Sequence, residues 1–444
     1  TDSFLCDGSS KKYYLSATNI DEVTGVLYNG EPCEISYTVD KSTGCVTFST
    51  APAAPLVTGQ DNLLITYSKE VEGYAERIQK CRFVSQYGIG GADYWFVSGN
   101  PDQPNFDWCS ALQDPTYFPD LGYAKIGGEE TAVTGYARVG EYLAILKQDN
   151  AQDATIFLRQ AVDTGDGVSF PLRQGVSGVG SVSARSVGSV RDEPLFLSRR
   201  GIYAIISNVI TAERSVQNRS YFIDPALSKE KNLEDAVAVN WEGRYLLCFG
   251  DNCYVLDGNQ RKAYRSQSEN DYVYECYHWN NIPARCFLEV GGALYFGTAE
   301  GQVCRFNNDM EGMDQYHDNG QPIVCQWSTK ADDDGDFLQQ KRLLTRGLAI
   351  QIKPFARGTV SVLLRTERED ESSVLEQVTD IFSFGGVDFS RFVFNATDSP
   401  QVIPVRASCR NYLTLQIIVR NEGLYEGLGV LGIIKRFTRG RSKR

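Results

Sequence analysis

Acidic side chains are the residues with which this 444-residue chain is best supplied for chemistry, since it holds 56 Asp and Glu but only two His. Two carboxylates on either side of a sugar linkage can hydrolyse it, one as the acid and the other as the base or nucleophile. The large number of acidic residues does not by itself identify such a pair. The turn S-x-D-x-G-x-x-W, which is typical of the β-propeller blades of sialidases, is absent. His278 lies between aromatic residues in ECYHWNN, where packing is a commoner role than general base catalysis. We therefore predict no catalytic residue and no enzyme.

The sequence motifs that bind metals or cofactors are absent or incomplete. The twelve Cys include no C-x-x-C and lie mostly in apolar runs, which predicts buried free thiols in a reducing compartment rather than disulfides or a zinc site. Asn307, Asp309 and Glu311 alternate before Gly312, which is half of a calcium-loop pattern, although solvated loops commonly have this composition. The motifs G-x-S-x-G, G-K-[ST] and H-E-x-x-H are absent. We predict no cofactor and no metal, with those three residues as a weak calcium candidate.

The last ten residues, KRFTRGRSKR, differ in charge from the rest of a chain whose net charge is −12. An acidic balance argues against general nucleic-acid binding, but this tail concentrates positive charge. Its cations are Lys435, Arg436, Arg439, Arg441, Lys443 and Arg444. Two interpretations stay open. The tail is a solubilising end or an arm that pairs with an acidic neighbouring subunit, or it is an arm that contacts DNA phosphates.

A repeat of about 50 residues organises the centre of the chain. Segments of similar outline start at Thr131, Val182, Glu234 and Arg285, and each contains a strand, a tight turn and a second strand. A third strand follows each, and an earlier copy begins with KCRFVSQYG. Such a repeat is the signature of a β-propeller, because one blade cannot cover its own faces and neighbouring blades can. Five blades are predicted, with equivalent positions at Trp95, Leu143, Leu195, Leu246 and Tyr295.

The sequence predicts further β-domains before and after the repeat, so the predicted fold class is all-β. Short alternating runs with DG and NG turns predict a small β-sandwich over 1–69, inserted between blades. The propeller covers 73–330, and less evenly spaced strands predict a C-terminal β-sandwich over 343–434 before the basic tail, 435–444. The chain begins without Met, so we expect a processed or truncated start and upstream sequence that supplies more blades. No apolar run reaches membrane-spanning length, which predicts no membrane contact.

The stretch 96–120, FVSGNPDQPNFDWCSALQDPTYFPD, combines four prolines with five aromatic residues. Proline fixes φ, so the loop is pre-ordered and loses little entropy when its aromatic side chains dock. We predict that Phe106, Trp108, Tyr117 and Phe118 contact a neighbouring blade or subunit. The alternative is that they only plug the face of their own propeller.

Several long stretches resemble a family of bacteriophage tail proteins, often described as packaged-DNA stabilisation or tail proteins. They are SGNPDQPNFDWCSALQDPTYFPD, KQDNAQDATIFLRQAV, RSVQNRSYFI, YHWNNIPARCFLE and the ending RNEGLYEGLGVLGIIKRFT. The resemblance covers most of the chain from Gly73 onward. It implies a structural virion protein of the tail, assembled in the host bacterial cytoplasm.

In short-tailed phages, similar propellers form the nozzle, a ring of subunits that closes the DNA channel below the head–tail adaptor. By analogy we expect a homo-oligomeric ring, such as a hexamer, with tail and adaptor proteins as partners and packaged DNA within reach of the basic tail. The competing predictions are a host-glycan-binding tail module and a carbohydrate-active propeller enzyme. An enzyme should have carboxylates that converge in a deep pocket, whereas a structural ring should have large flat interfaces.

Overall fold

The computed structural model describes residues 1–444 except 151–152, 166, 208–213, 264–271, 308–315, 383–388, 392–393, 395–396 and 443–444. The chain divides into two compact units, 1–279 and 280–444. Within the described residues, no helix is both long enough and apolar enough to span a bilayer.

The first unit opens with two small sheets that share one core. Their strands are β1 (Asp2–Phe4), β2 (Lys12–Tyr14), β3 (Glu22–Tyr28), β4 (Glu31–Pro32), β5 (Tyr37–Asp40), β6 (Cys45–Phe48) and β7 (Leu63–Ser68). One sheet has the order β1-β7-β3-β4 and the other β2-β6-β5. Strand β7 shows the alternation that sequence predicts, since Leu63 and Ile65 are buried in the core whereas Leu64 faces outward. The segment is a β-sandwich.

Four sheets of four strands follow in the first unit, after helix α1 (Tyr74–Gln79). The first sheet consists of β8 (Phe83–Ile89), β9 (Ala92–Ser98), β10 (Phe106–Cys109) and β11 (Tyr123–Lys125). The second contains β12 (Val133–Val139), β13 (Tyr142–Lys147), β14 (Ala154–Gln160) and β17 (Leu172–Ser177), with the hairpin β15 (Val162–Asp163) and β16 (Val168–Ser169) before β17. The third contains β18 (Gly188–Val190), β19 (Glu193–Ser198), β20 (Gly201–Ser207) and β21 (Arg214–Asn218). Helix α2 (Asp224–Leu227) precedes the fourth, β22 (Val237–Trp241), β23 (Arg244–Phe249), β24 (Asn252–Ala263) and β25 (Tyr272–Trp279). Each sheet is one blade.

The second unit begins with a three-stranded sheet of the same kind, β26 (Cys286–Val290), β27 (Ala293–Gly297) and β28 (Val303–Arg305). Tight turns join the first two strands of all five blades. In four of these turns both central residues have positive φ, which suits Gly and matches the twist of the strands that they join. These turns are Gly90–Gly91, Arg191–Asp192, Glu242–Gly243 and Gly291–Gly292.

The turns fix which residues are equivalent between blades. All five predicted positions fall in the second strand of their sheets, so the predicted strand equivalence is confirmed. Counting from the turns, however, Tyr94 and Ala144 correspond to Leu195, whereas Trp95 and Leu143 are one residue out of register. This difference in register matters because a shift of one residue places a side chain on the opposite face of the sheet.

Successive blades of the first unit bury their faces against each other. Tyr87 and Phe96 of the first blade pack on Leu143 of the second. On the opposite face of the second blade, Ala144 and Leu146 share a core with the third blade. Leu195 and Leu197 of the third blade share the next core with the fourth, which contributes Tyr245 and Leu247. Neighbouring sheets therefore cover each other as the repeat predicts.

The second unit ends in a further β-sandwich. Its strands are β29 (Cys325–Ser328), β30 (Gln339–Lys353), β31 (Thr359–Thr366), β32 (Ser372–Val378), β33 (Gln401–Val405), β34 (Arg410–Tyr412), β35 (Leu415–Asn421) and β36 (Gly429–Ser442). One sheet has the order β29-β35-β31-β32, and the other has the order β33-β30-β34 with β36 also paired to β30. Ile350 and Ile352 pack against Val360, Val362 and Val419 between the sheets. The predicted all-β class with propeller blades and flanking sandwiches is confirmed, and the domain limits drawn from the sequence stay a prediction.

Candidate functional site

The predicted interface residues of β10 lie on one face of the first blade. Trp108 pairs with Tyr123 across β10 and β11, and Phe106 pairs with Lys125. The Phe106 ring stacks on Trp108 at 5.7 Å and on Tyr123 at 5.4 Å, and the Lys125 Nζ lies 5.2 Å from the Phe106 ring centre. We call Trp108, Phe106 and Tyr123 the aromatic row. Trp108 is buried beneath its neighbours while Tyr123 is exposed.

The other two predicted interface residues lie in the connection from β10 to β11 and not in the aromatic row. Tyr117 is exposed and Phe118 is half-buried. The same connection exposes Leu112 and, at 86% of its surface, Leu121. The structure thus presents large apolar side chains along this loop, as a contact surface requires.

The opposite face of β10 carries a buried ion pair that sequence analysis did not find. Arg159 of β14 donates from its two terminal nitrogens to Asp107, at 2.6 and 2.9 Å, and both side chains are at most 3% exposed. The guanidinium also lies 4.5 Å from the ring centre of Phe96. Burial alone lowers the pKa of Arg159, and the charge and hydrogen bonds of Asp107 more than reverse this effect, so the pKa is raised. The pair joins the first blade to the second.

The third and fourth blades are joined in a similar way. Arg219 donates to both carboxylate oxygens of Glu193, at 3.0 and 2.5 Å, and the hydroxyls of Tyr272 and Tyr274 donate to the same oxygens. Burial first, and then the charge of Glu193, raises the pKa of Tyr272. Because these bonds occupy both oxygens of Glu193, this carboxylate is structural rather than available to a substrate.

A polar cavity of about 530 Å³ opens at the end of blades two, three and four where their second strands finish. Its lining combines carboxylates, amides, one guanidinium and few apolar groups. The residues are Gln148, Asp149, Ser181, Val182, Arg199, Glu230, Asn232, Leu233 and Glu234. Asp149 follows β13, Arg199 lies in the turn between β19 and β20, and the last four belong to the connection between α2 and β22. Three carboxylates, Asp149 from one part of the chain and Glu230 and Glu234 from another, therefore line one cavity.

Two of these carboxylates are held in place by neighbouring groups. Glu230 accepts a hydrogen bond of 2.8 Å from the Tyr254 hydroxyl and one of 3.3 Å from the Asn252 amide. Burial, and after it the hydrogen bond to Glu230 and the charge of this carboxylate, raise the pKa of Tyr254, so this phenol stays a donor. Asp149 accepts the backbone N–H of Gly180. Positioned carboxylates of this kind can accept hydrogen bonds from substrate hydroxyls, and a pair of them can act as acid and base.

The calcium candidate lies mostly outside the described residues. Asn307 lies exposed after β28, while Asp309 and Glu311 lie outside the described residues. Within the part of the chain that the structure describes, no group of three or more His, Cys, Asp or Glu could hold a metal ion. The His278 Nε2 lies 3.1 Å from the Asn252 Oδ1, and the His278 ring lies 4.9 Å from that of Tyr254. This contact agrees with the predicted packing role.

The described part of the basic tail, residues 435–442, belongs to the sandwich rather than to a free arm. Residues 435–442 continue β36, and Lys435 lies 3.0 Å from Asp332 and 2.7 Å from Asp334 with only 14% of its side chain exposed. Arg436 and Arg439 are exposed, Arg441 lies on the same strand, and Lys443 and Arg444 lie outside the described residues. The correction has a physical reason, since β36 also contains the apolar residues that pair with β30.

The chain is similar to proteins among the solved structures. No protein-family model and no curated protein matches the chain. An exo-beta-1,3-galactanase from Phanerochaete chrysosporium is similar at 9% identity with a TM-score of 0.26, over 80% of this chain and 95% of that one. A glycoside hydrolase family 43 arabinoxylan arabinofuranohydrolase from Bacillus subtilis is similar at 10% identity with a TM-score of 0.23, over 100% of this chain and 97% of that one.

These neighbours correct one prediction. The sequence predicted that the chain is not an enzyme, and that prediction is contradicted because the similar solved structures are glycoside hydrolases. The likeness itself concerns the fold. An activity for this chain is therefore argued below from the residues of the polar cavity.

Proposed function

We propose that this chain is a carbohydrate-active propeller protein that binds an oligosaccharide in the polar cavity. The observation that carries the proposal is the convergence of Asp149, Glu230 and Glu234 with Arg199 in a cavity of about 530 Å³. Sugar hydroxyls need acceptors and donors at fixed positions, and carboxylates, amides and a guanidinium supply both. This convergence in a pocket is the feature that separates a carbohydrate-active propeller from a purely structural one.

The same carboxylates support hydrolysis as the reaction to test. A glycosidase needs a protonated carboxyl group that donates to the glycosidic oxygen and an ionised carboxylate on the opposite face of the sugar ring. Glu230, held by Tyr254 and Asn252, has a fixed orientation, whereas Glu234 is exposed at the cavity and can approach a ligand directly. In this proposal Glu230 and Glu234 are the candidates for the acid–base pair, and Asp149 and Arg199 orient the sugar.

The resemblance to phage tail proteins suggests which carbohydrate is meant. A tail protein meets the host at its surface, so the proposed ligand is a glycan of the bacterial envelope and the proposed location is the virion. The partners in this proposal are other tail proteins and the head–tail adaptor. They follow from the resemblance and are independent of the cavity.

The test is a binding screen of the full chain against bacterial capsular, teichoic and lipopolysaccharide glycans, with arabinoxylan and beta-1,3-galactan included. For any glycan bound, we expect Glu234→Gln and Arg199→Gln to weaken binding roughly ten- to a hundred-fold, since each removes a charged hydrogen-bonding group. Glu141→Gln is the matched control because Glu141 lies exposed in the hairpin turn at the opposite end of the second blade. Release of reducing ends from the bound glycan measures hydrolysis.

Two results would contradict the proposal. One is the absence of binding across the screen, and the other is binding that Glu141→Gln weakens as much as Glu234→Gln. Binding without release of reducing ends would retain glycan recognition and remove hydrolysis from the proposal.

A second candidate function rests on a different observation. The exposed apolar side chains Leu112, Tyr117 and Leu121, next to the aromatic row, suit a subunit interface in a nozzle-like ring. We propose this ring, with packaged DNA in its channel, as the alternative role. Electron microscopy of the purified protein should then show closed rings, and Tyr117→Ser with Leu121→Ser should convert them to monomers. Monomers in the unsubstituted protein at micromolar concentration would exclude this alternative.

A further inference from the structure

The C-terminal sandwich has one side on which both sheets end in an incompletely paired strand. Among the described residues, β29 is hydrogen-bonded only to β35, and β36 is hydrogen-bonded only to β30. Each therefore has one edge whose N–H and C=O groups lack a strand partner in that part of the chain. Such edges are templates for the addition of another strand.

A groove of about 310 Å³ lies between these two edges. It is lined by Cys325, Gln326 and Trp327 of β29 and by Leu428, Val430, Leu431, Gly432 and Ile433 in and before β36. Trp327 pairs with Val419, which is fully buried, so Trp327 points to the core side of its sheet. It is nevertheless 50% exposed. The core thus continues into a gap that has apolar walls.

Positive charge continues along β36 beyond the groove. Lys435 is neutralised by Asp332 and Asp334, whereas Arg436 and Arg439 are exposed. A segment that pairs along this edge would meet an apolar groove at one end and free guanidinium groups at the other.

We propose that an extended segment of a partner protein, with apolar residues in one half and acidic residues in the other, adds as a strand to the open edge of β36. In such pairing the backbone hydrogen bonds supply affinity and the pockets for alternate side chains supply specificity. Apolar side chains of the partner enter the groove beside Trp327, and its carboxylates meet Arg436 and Arg439. A second copy of this chain is a poorer occupant, because pairing β36 with another β36 brings like charges together.

The test uses the full chain and a displayed library of random twelve-residue peptides. We expect enriched peptides to carry apolar residues in one half and acidic residues in the other, and their binding to slow hydrogen exchange of the β36 amides. Trp327→Ala should weaken an enriched peptide at least tenfold. The double change Arg436→Glu and Arg439→Glu should do the same and should shift the enrichment to basic peptides. Arg368→Glu, an exposed cation in the turn between β31 and β32, is the control that should change nothing.

Each contrary outcome overturns the proposal. No enrichment above an empty support would show that the edge accepts no strand, and protection confined to other strands would place the site elsewhere. Concentration-dependent dimers with protected β36 amides would make a second copy the occupant. Salt-sensitive binding of a DNA oligonucleotide, lost in the Arg436 and Arg439 variant when no peptide is selected, would assign the edge to nucleic acid. None of these results bears on the polar cavity.

Discussion

Removal of one partner from the ion pair between Asp107 and Arg159 should destabilise the junction of the first two blades. Asp107→Asn keeps the shape of the side chain but leaves a guanidinium that is at most 3% exposed without its counter-charge. Breaking a buried pair in this way costs about 3–5 kcal/mol. Replacement of both partners by apolar residues, Asp107→Leu with Arg159→Met, avoids an unpaired charge and should cost less than the single change.

The assay is hydrogen exchange of the β10 and β14 amides, which reports the opening of these strands rather than the unfolding of distant sandwiches. We expect the opening free energy to fall by about 3–5 kcal/mol in Asp107→Asn and to recover by roughly 2 kcal/mol or more in the double variant. Because the pair is buried, 1 M salt should change little. A single variant within about 1 kcal/mol of the unsubstituted protein, or a double variant as unstable as the single one, would refute the reasoning.

Three further outcomes are expected. Lys435→Met should destabilise the C-terminal sandwich in urea unfolding at neutral pH. This cost should shrink as pH falls below 3.8, because the hydrogen bond from Lys435 holds the pKa of Asp332 below that ordinary value and the stability of the pair is lost as Asp332 protonates. Iodoacetamide at neutral pH should alkylate the exposed Cys286, whereas Cys248, whose pKa burial raises well above its ordinary value, should react only in urea, as mass mapping would show. Phe196→Ala, which empties a fully buried position between the second and third blades, should cost about 3–5 kcal/mol in urea unfolding.

The repeat was predictable because two local signals agreed with the global fold. The second strands are rich in consecutive apolar residues, such as YLAIL at 142–146 and YLLCF at 245–249, and turns such as Gly90–Gly91 or Glu242–Gly243 precede these strands. Spacing alone, however, aligned Trp95 and Leu143 one residue out of register. Only the turn geometry resolves that ambiguity, because a strand has no other internal marker of where it begins.

In the basic tail, the high density of charged residues led to a wrong prediction of its structure. KRFTRGRSKR reads as a solvated arm, yet Lys435 is largely buried between two aspartates that lie 101 and 103 residues earlier in the chain. The same applies to Asp107 and Arg159, which are 52 residues apart. Pairings over such distances depend on which blades or strands become neighbours, and neither residue carries a local sign of its partner.

The polar cavity could have been found by position in the repeat instead of by motif. In antiparallel blades, the end of the second strand and the start of the first strand lie at the same end of the sheet. Asp149, just after β13, and Glu234, just before β22, therefore belong to one end even though 85 residues separate them. The position of a residue in the repeat predicts the end of the blade at which it lies, but not whether it lines the cavity. Asp251, for example, follows β23 at the same end and does not line the cavity. A carboxylate needs both the right place in the blade and a connection that borders the cavity, as the one that follows α2 does.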